Sequence, residues 1–107
     1  MAWTILCSLD ELTEGKARHA EAAGLHLAVY LHNGKPFVMD NYCPHAGGSL
    51  AAGFVEADED GPACAVCPWH YWKFKLDTGA LTSSPHVKVQ TYIARTRNDG
   101  KVEADLP

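Results

Sequence analysis

Two short motifs in this chain, Cys43-Pro44-His45 and Cys67-Pro68-Trp69-His70, each combine one thiol with one imidazole. If the fold brings them together, two sulfur and two nitrogen ligands can surround one metal centre. A zinc finger would usually take both cysteines from one loop and both histidines from elsewhere. One of each in both loops suits a diiron-disulfide cluster, with cysteines on one iron and histidines on the other. The motifs therefore indicate a protein that moves electrons.

The main alternative is a structural zinc site built from the same four residues, since zinc accepts two cysteines and two histidines readily. Cys64 complicates this alternative, because Cys64-Ala65-Val66-Cys67 is itself a C-x-x-C pair. Cys64 could then replace a histidine as a zinc ligand. It lies in an apolar, strand-like run, however, so we interpret it as a buried thiol of the core. Cys7 is interpreted in the same way.

The composition of the chain limits the kinds of protein it can be. Its 107 residues provide for one domain, 1–107, with a modest core. A net charge of -4 argues against nucleic acid as a partner, because proteins that bind phosphate backbones normally carry a basic patch. No stretch is apolar and long enough for a membrane span, and the N-terminus lacks the pattern of a signal peptide. We expect a cytoplasmic protein, in which cysteines stay reduced and are available to metals.

Hydrophobic patterning predicts strands and no long helix. Along residues 25–32 apolar and more polar positions alternate, which is typical of a half-buried strand. Asn33-Gly34 follows as a hairpin signal, and Ser8 with Glu11 forms a capping-box pattern around a single turn. The alternation places Leu25, Leu27, Val29 and Leu31 on one face and His26, Ala28, Tyr30 and His32 on the other. Further strands are predicted at residues 3–7, 36–40, 87–97 and 101–104.

Residues 42–81 differ from the rest of the chain, because they hold three of the four cysteines and many glycines and prolines. Such a density of turn residues fits loops that project from a small antiparallel scaffold. We expect Gly47, Gly48 and Gly53 to allow close approach of the backbone to a cluster. The predicted fold class is all-β: a small antiparallel β-sandwich with an inserted cluster-binding subdomain of two loops, at about residues 42–85.

Residues 43–50 (CPHAGGSL) and 67–74 (CPWHYWKF) resemble the two cluster-binding boxes of the Rieske family. Within that family the chain is most similar to the Rieske-type ferredoxins and to the small subunits of assimilatory nitrite reductases. Weaker likeness extends to residues 9–12, 76–79 and 100–102, and to Ser84-Pro85, where the family places a proline loop over the cluster. The resemblance therefore covers nearly the whole chain.

The resemblance implies a Rieske-like iron–sulfur fold that holds a [2Fe-2S] cluster. Cys43 and Cys67 would bind the inner iron, and His45 and His70 the outer iron. Electrons would enter and leave through the exposed edges of the two histidines. The implied partners are redox proteins: a flavin reductase, an oxygenase or the large subunit of a reductase.

The chain departs from the family pattern at several positions. Tyr71 replaces the usual glycine after the second histidine, which predicts a reshaped or more shielded turn. The longer gap between the boxes contains an acidic turn, Asp58-Glu59-Asp60, which is either solvated surface or a docking site for a basic partner.

Other departures bear on the reduction potential. Respiratory-chain relatives carry a disulfide where this chain has Gly48 and Trp69. Their two hydroxyl donors to the cluster are replaced here by Trp72 and Phe74. Fewer donors favour a potential at the low end of the Rieske range, which is roughly −150 to +300 mV.

Three functions agree with these patterns. The first is a one-electron carrier, a ferredoxin between a reductase and an oxygenase. The second is the electron-transfer subunit of a nitrite reductase that uses NAD(P)H, and the third is a zinc-bound interaction module. No nucleophile–base arrangement, dinucleotide fingerprint or phosphate-binding loop is present in the sequence. We therefore expect no substrate turnover by this domain alone.

Overall fold

The computed structural model describes residues 2–43, 49–57, 61–69 and 71–107. These residues form antiparallel strands and two 3₁₀ turns, Leu9–Glu11 and Leu50–Ala52, which confirms the predicted all-β class. The strands are β1 (Ala2–Ser8), β2 (Ala17–Ala22), β3 (Leu25–His32), β4 (Lys35–Asp40), β5 (Phe54–Ala57), β6 (Ala63–Val66), β7 (Lys73–Lys75), β8 (Ala80–Leu81), β9 (Ser84–Lys88), β10 (Thr91–Tyr92), β11 (Ala94–Thr96) and β12 (Lys101–Leu106). Within the described part of the chain, no helix is long and apolar enough to cross a membrane.

The strands build three sheets, and the middle sheet separates two hydrophobic cores. The sheet orders are β1-β12-β11, β10-β4-β3-β2 and β5-β6-β7-β8-β9. Leu27 and Val29 of β3 pack with Val102 of the first sheet. Ala28 and Tyr30, which alternate with them along the strand, pack instead in the core of the third sheet. Successive residues of a strand point to opposite faces, so β3 contributes to both cores.

The prediction of a half-buried β3 is therefore wrong. Ala28 and Tyr30 are fully buried, as are Leu27 and Val29 on the opposite face. Both faces of β3 are covered because the third sheet lies against the side that we expected to face solvent. His26 remains exposed near the beginning of the strand.

The structure confirms the hairpin and the first turn that local sequence signals predicted. Asn33 and Gly34 adopt positive φ angles of 53° and 74°, as a tight turn between β3 and β4 requires. The carboxylate of Glu14 accepts hydrogen bonds from the backbone amides of Asn33 and Gly34, at 2.8 and 3.2 Å. The Ser8 amide donates to Glu11 Oε1 at 2.8 Å, which is one half of the predicted capping box.

The single strand predicted at residues 87–97 is wrong, because this segment passes through all three sheets. It contributes to β9 of the third sheet, β10 of the second and β11 of the first. Ser84-Pro85 begins β9, which pairs with β8, rather than forming a separate loop. Strand β2 was not predicted, because its sequence ARHAEA lacks the β-branched and aromatic residues that favour strands. Pairing with β3 along its whole length stabilises β2 instead.

Candidate metal centre

The structure brings the two cysteines of the motifs together. Cys43 lies three residues after β4, and Cys67 directly follows β6. Both side chains are fully buried in the core below the third sheet. Burial, followed by the neighbouring Cys43, raises the pKa of the Cys67 thiol. Two thiols from distant parts of the sequence therefore lie close together in one core.

A set of hydrogen bonds closes the base of the first ligand loop. Tyr42 and Ser49 form an isolated antiparallel bridge on either side of residues 44–48. The side-chain oxygen Oδ1 of Asn41 accepts from the Ala51 amide at 2.6 Å and from the Ser49 hydroxyl at 3.1 Å. The Leu50 amide donates to the Asn41 carbonyl at 3.1 Å. Within the loop, Pro44, His45, Gly47 and Gly48 lie outside the described residues.

The second ligand loop is closed by the backbone. The Cys67 amide donates to the Trp72 carbonyl at 2.8 Å, which joins the two ends of the turn. The Trp69 backbone amide acts to lower the pKa of the Cys67 thiol, against the larger effect of burial, which suits a thiolate ligand. His70, between these residues, lies outside the described residues, as do the acidic residues Asp58 to Asp60.

Tyr71 has the left-handed backbone conformation that glycine adopts easily, with a φ angle of 56°. Tyrosine therefore keeps a glycine-like conformation here, and the reshaping of the turn stays a prediction. The Tyr71 ring is 68% exposed, so it does not shield the turn from solvent.

Burial disfavours negative charge on the cysteine pair unless a bound cation compensates it. Burial raises the pKa of Cys67 to about 11, and the hydrogen bond with Cys43 adds to this, while the Trp69 amide acts in the opposite direction. Without a metal the Cys67 thiol is therefore protonated at neutral pH. Metal binding replaces such protons with positive charge, since cysteine binds metals as a thiolate. Two adjacent buried sulfurs with an amide donor fit the cysteine side of an iron–sulfur cluster.

Tyr30 is a feature of the site that sequence reasoning missed. Its ring is fully buried among Cys43, Cys67 and Leu50, and its hydroxyl donates to the Leu50 carbonyl at 3.0 Å. Burial, followed by the charges of Cys67 and Cys43, raises the pKa of Tyr30, so the hydroxyl lies within electrostatic reach of both sulfurs. A tyrosine in the middle of an apolar strand was the available signal.

The structure also locates three other residues that the sequence analysis singled out: Cys64, Phe74 and Gly53. Cys64 is buried in β6, and its thiol donates to the Pro62 carbonyl at 3.6 Å, in keeping with a thiol of the core. Phe74 is fully buried in the same core as the cysteine pair. The close contact of Gly53 is with the Val66 carbonyl, where an added Cβ would lie 2.0 Å from the oxygen. This glycine therefore lets the chain pass close to the end of β6, just before Cys67.

Among the described residues, no group of three or more histidine, cysteine and acidic side chains is arranged to hold a metal ion. This finding covers Cys43 and Cys67 but neither of the two predicted histidine ligands. The assignment of His45 and His70 stays a prediction.

Sequence comparisons connect this site to known proteins. The family model of the Rieske [2Fe-2S] domain matches residues 2–93. The oxygenase component of a 3-ketosteroid-9-alpha-monooxygenase from Rhodococcus rhodochrous is 34% identical over 97 residues, which cover 90% of this chain and 24% of that protein. The chain thus spans less than half of the length of the first curated relatives that it matches: 20%, 24% and 44% for the first three.

Structural comparisons give two similar proteins of nearly the same size as this chain. A Mycobacterium tuberculosis protein, designated an NADH-dependent nitrite reductase small subunit, superposes with a TM-score of 0.90 at 27% identity. The match covers 99% of this chain and 96% of that one. The ferredoxin of Sphingomonas yanoikuyae B1 superposes with a TM-score of 0.80 at 31% identity, covering 99% of this chain and all of that one.

Proposed function

Since the chain belongs to the Rieske [2Fe-2S] domain family and transfers electrons through a cluster of that type, we propose that it is a ferredoxin. It carries single electrons from a flavin reductase to an oxygenase-type acceptor. The observation that carries this proposal is the buried cysteine pair, which lies on two loops lined with exposed aromatic side chains. The 31% identity to a ferredoxin of the same length supports the choice of a carrier.

In this proposal the cluster supplies the one-electron redox centre, and the protein supplies its ligands and surroundings. Cys43 and Cys67 bind one iron as thiolates, and His45 and His70 bind the other through ring nitrogens. The Trp69 amide stabilises charge on the Cys67 sulfur. The surrounding core keeps water away from the sulfurs, because both cysteines are fully buried. The two histidines are the exit for electrons.

Three exposed aromatic side chains, which we call the aromatic rim, flank the ligand positions. Tyr42 precedes Cys43 and is 63% exposed, while Trp69 and Tyr71 precede and follow His70 and are 56% and 68% exposed. Aromatic residues are enriched in protein interfaces, where they bury large area at low entropic cost. In our proposal a redox partner docks on the aromatic rim and thereby approaches the two histidines.

Electron-transfer kinetics test the carrier function and the aromatic rim together. The cluster-loaded protein is reduced by a flavin reductase and mixed with a Rieske oxygenase in a stopped-flow instrument. We expect Trp69→Ala and Tyr71→Ala to slow transfer by about tenfold at low protein concentration, since each removes a central aromatic contact. Ile93→Ala is the matched control, because Ile93 is 72% exposed but lies between β10 and β11, outside the ligand loops. Equal rates for all variants, or no transfer to any such partner, would contradict the proposal.

A second candidate is the small subunit of a nitrite reductase, favoured by the TM-score of 0.90 to the Mycobacterium tuberculosis protein. A subunit forms a lasting complex, whereas a carrier binds transiently. Size-exclusion chromatography with a nitrite reductase large subunit separates the two. Co-elution at micromolar concentration would favour the subunit, and separate elution would favour the carrier.

We also propose a cellular location and a domain organisation for the protein. The protein acts in the cytoplasm, where reduced cysteines are available for cluster assembly. Residues 1–107 form one domain, with the cluster-binding subdomain at about residues 42–85. The middle sheet supports this organisation, because its strands contribute to both cores.

A further inference from the structure

Tyr30 connects the middle sheet to the chain that follows the first ligand loop. It belongs to β3, which lies in the middle sheet, whereas Cys67 follows a strand of the third sheet. Its hydroxyl donates to the carbonyl of Leu50, the first residue of the 3₁₀ turn after the loop. Both residues are fully buried in the core that contains Cys43 and Cys67.

Leu50 is held at two points, and only one of them depends on a side chain. Its amide donates to the Asn41 carbonyl, and its carbonyl accepts from Tyr30. Asn41 lies two residues before Cys43, and Leu50 lies two residues after the loop of residues 44–48. The two hydrogen bonds therefore fix the end of the first ligand loop relative to its beginning and to β3.

We propose that Tyr30 is a positioning residue for the cluster, because its hydroxyl anchors the end of the first ligand loop and so holds Cys43 against Cys67. The inference rests on the proposed function, since it assumes that these cysteines bind iron. Outer partners of metal ligands fix the ligand geometry, and their loss weakens metal binding by about 10- to 100-fold in other proteins. No statement about the ligand histidines is needed for this role.

Removal of the Tyr30 hydroxyl should weaken cluster binding more than it reduces the stability of the fold. In Tyr30→Phe the Leu50 carbonyl loses its partner in a buried environment, so it must move or recruit water. Water beside the sulfurs stabilises the more negative reduced state. We therefore expect the midpoint potential to become more positive, together with faster loss of the cluster.

Tyr92→Phe is the matched control for this experiment. Tyr92 also donates its hydroxyl to a neighbouring residue, Asp40 Oδ1, at 2.7 Å. It is partly buried on β10 of the same sheet, but it packs against the other hydrophobic core, which contains neither Cys43 nor Cys67. The same chemical change is thus made at a hydrogen bond on the opposite face of the middle sheet from the cysteine pair.

The experiment compares the loaded wild-type protein, Tyr30→Phe and Tyr92→Phe. Cluster loss is followed by the decay of visible absorbance in the presence of an iron chelator, with the midpoint potential and electron paramagnetic resonance g values of each protein. We expect Tyr30→Phe to lose its cluster about tenfold faster than the wild type, with a changed potential and g values. Tyr92→Phe should match the wild type in all three.

Each other result has a defined meaning. A wild-type protein that holds no iron refutes the proposed function, whereas equal behaviour of the two variants refutes only the role of Tyr30. If Tyr30→Phe does not fold, 3-fluorotyrosine at position 30 is compared with the wild type. Its more acidic hydroxyl is a stronger donor, so slower cluster loss supports the role and an unchanged rate refutes it.

Discussion

At the scale of single residues, Tyr71 shows how the second ligand loop tolerates a departure from its family. Tyr71 has a left-handed conformation within the turn that is closed by the hydrogen bond from the Cys67 amide to the Trp72 carbonyl. Glycine does this without strain, whereas a residue with a Cβ pays an energetic penalty. Tyrosine therefore stores strain beside the ligands, and its exposed ring contributes to the aromatic rim.

Two replacements of Tyr71 distinguish the effect of the backbone strain from the effect of the aromatic ring. Tyr71→Gly should increase the free energy of unfolding by about 1 kcal/mol, because glycine relieves the left-handed strain. Tyr71→Ala is the control, since alanine removes the ring but keeps the strain and should give no increase. Urea unfolding of both variants provides the measurement. An equal change in the two variants would show that the conformation of this turn is not strained.

Residue patterns predicted the cysteine pair because the ligand motifs are local in sequence. Tyr30 could not be predicted in the same way. Its burial depends on the third sheet, whose strands begin at Phe54 and cover the face of β3 that the alternation assigned to solvent. A pattern within one strand does not reveal a layer built from distant residues.

At the scale of elements, one segment that resembles a single strand in the sequence connects all three sheets. Residues 84–96 form β9, β10 and β11, each in a different sheet. The chain must change direction between them, although its composition favours strand throughout. The β3–β4 hairpin, by contrast, was predictable, because Asn33-Gly34 has the conformations that its turn requires.

The Glu14 carboxylate should make the stability of this hairpin depend on pH. Hydrogen bonds from the amides of Asn33 and Gly34 hold the pKa of Glu14 below its ordinary value of 4.5. A lowered pKa in the folded protein means that the stabilisation is complete above 4.5 and disappears as the pH falls through the lowered value. Glu14→Gln should therefore reduce the free energy of unfolding at neutral pH and have little effect at pH about 2.

Denaturant unfolding at the two pH values measures this effect. Glu21→Gln is the control, because Glu21 is an exposed carboxylate on β2 that receives no such pair of backbone amides in the described contacts. A Glu14→Gln effect of the same size at both pH values would mean that the charge of the carboxylate does not matter.

At the scale of the whole molecule, several features oppose the addition of an electron. The protein carries a net charge of -4. The cysteine pair lies in a dry core, Phe74 offers no hydroxyl, and the Tyr30 hydroxyl donates to a carbonyl rather than to sulfur. Each feature leaves the negative charge of a reduced cluster less stabilised.

We therefore predict a midpoint potential at the low end of the Rieske range. Protein-film voltammetry at neutral pH measures it, and a clearly positive value would refute the prediction. Phe74→Tyr should raise the potential, because it adds a hydroxyl donor where relatives of the respiratory chain have one. Phe37→Tyr is the control, since Phe37 is only partly buried at the edge of the same core and lies on β4, outside the ligand loops.

The most direct test of the account is the metal content of the purified protein. We predict a brown protein with two iron ions and two acid-labile sulfides per chain, which gives a Rieske-type electron paramagnetic resonance signal on reduction. Serine variants of Cys43 and Cys67, and alanine variants of His45 and His70, should each lose that signal. A colourless protein that contains zinc, or a signal that survives the loss of these four residues, would contradict the assignment of an electron-transfer cluster to this site.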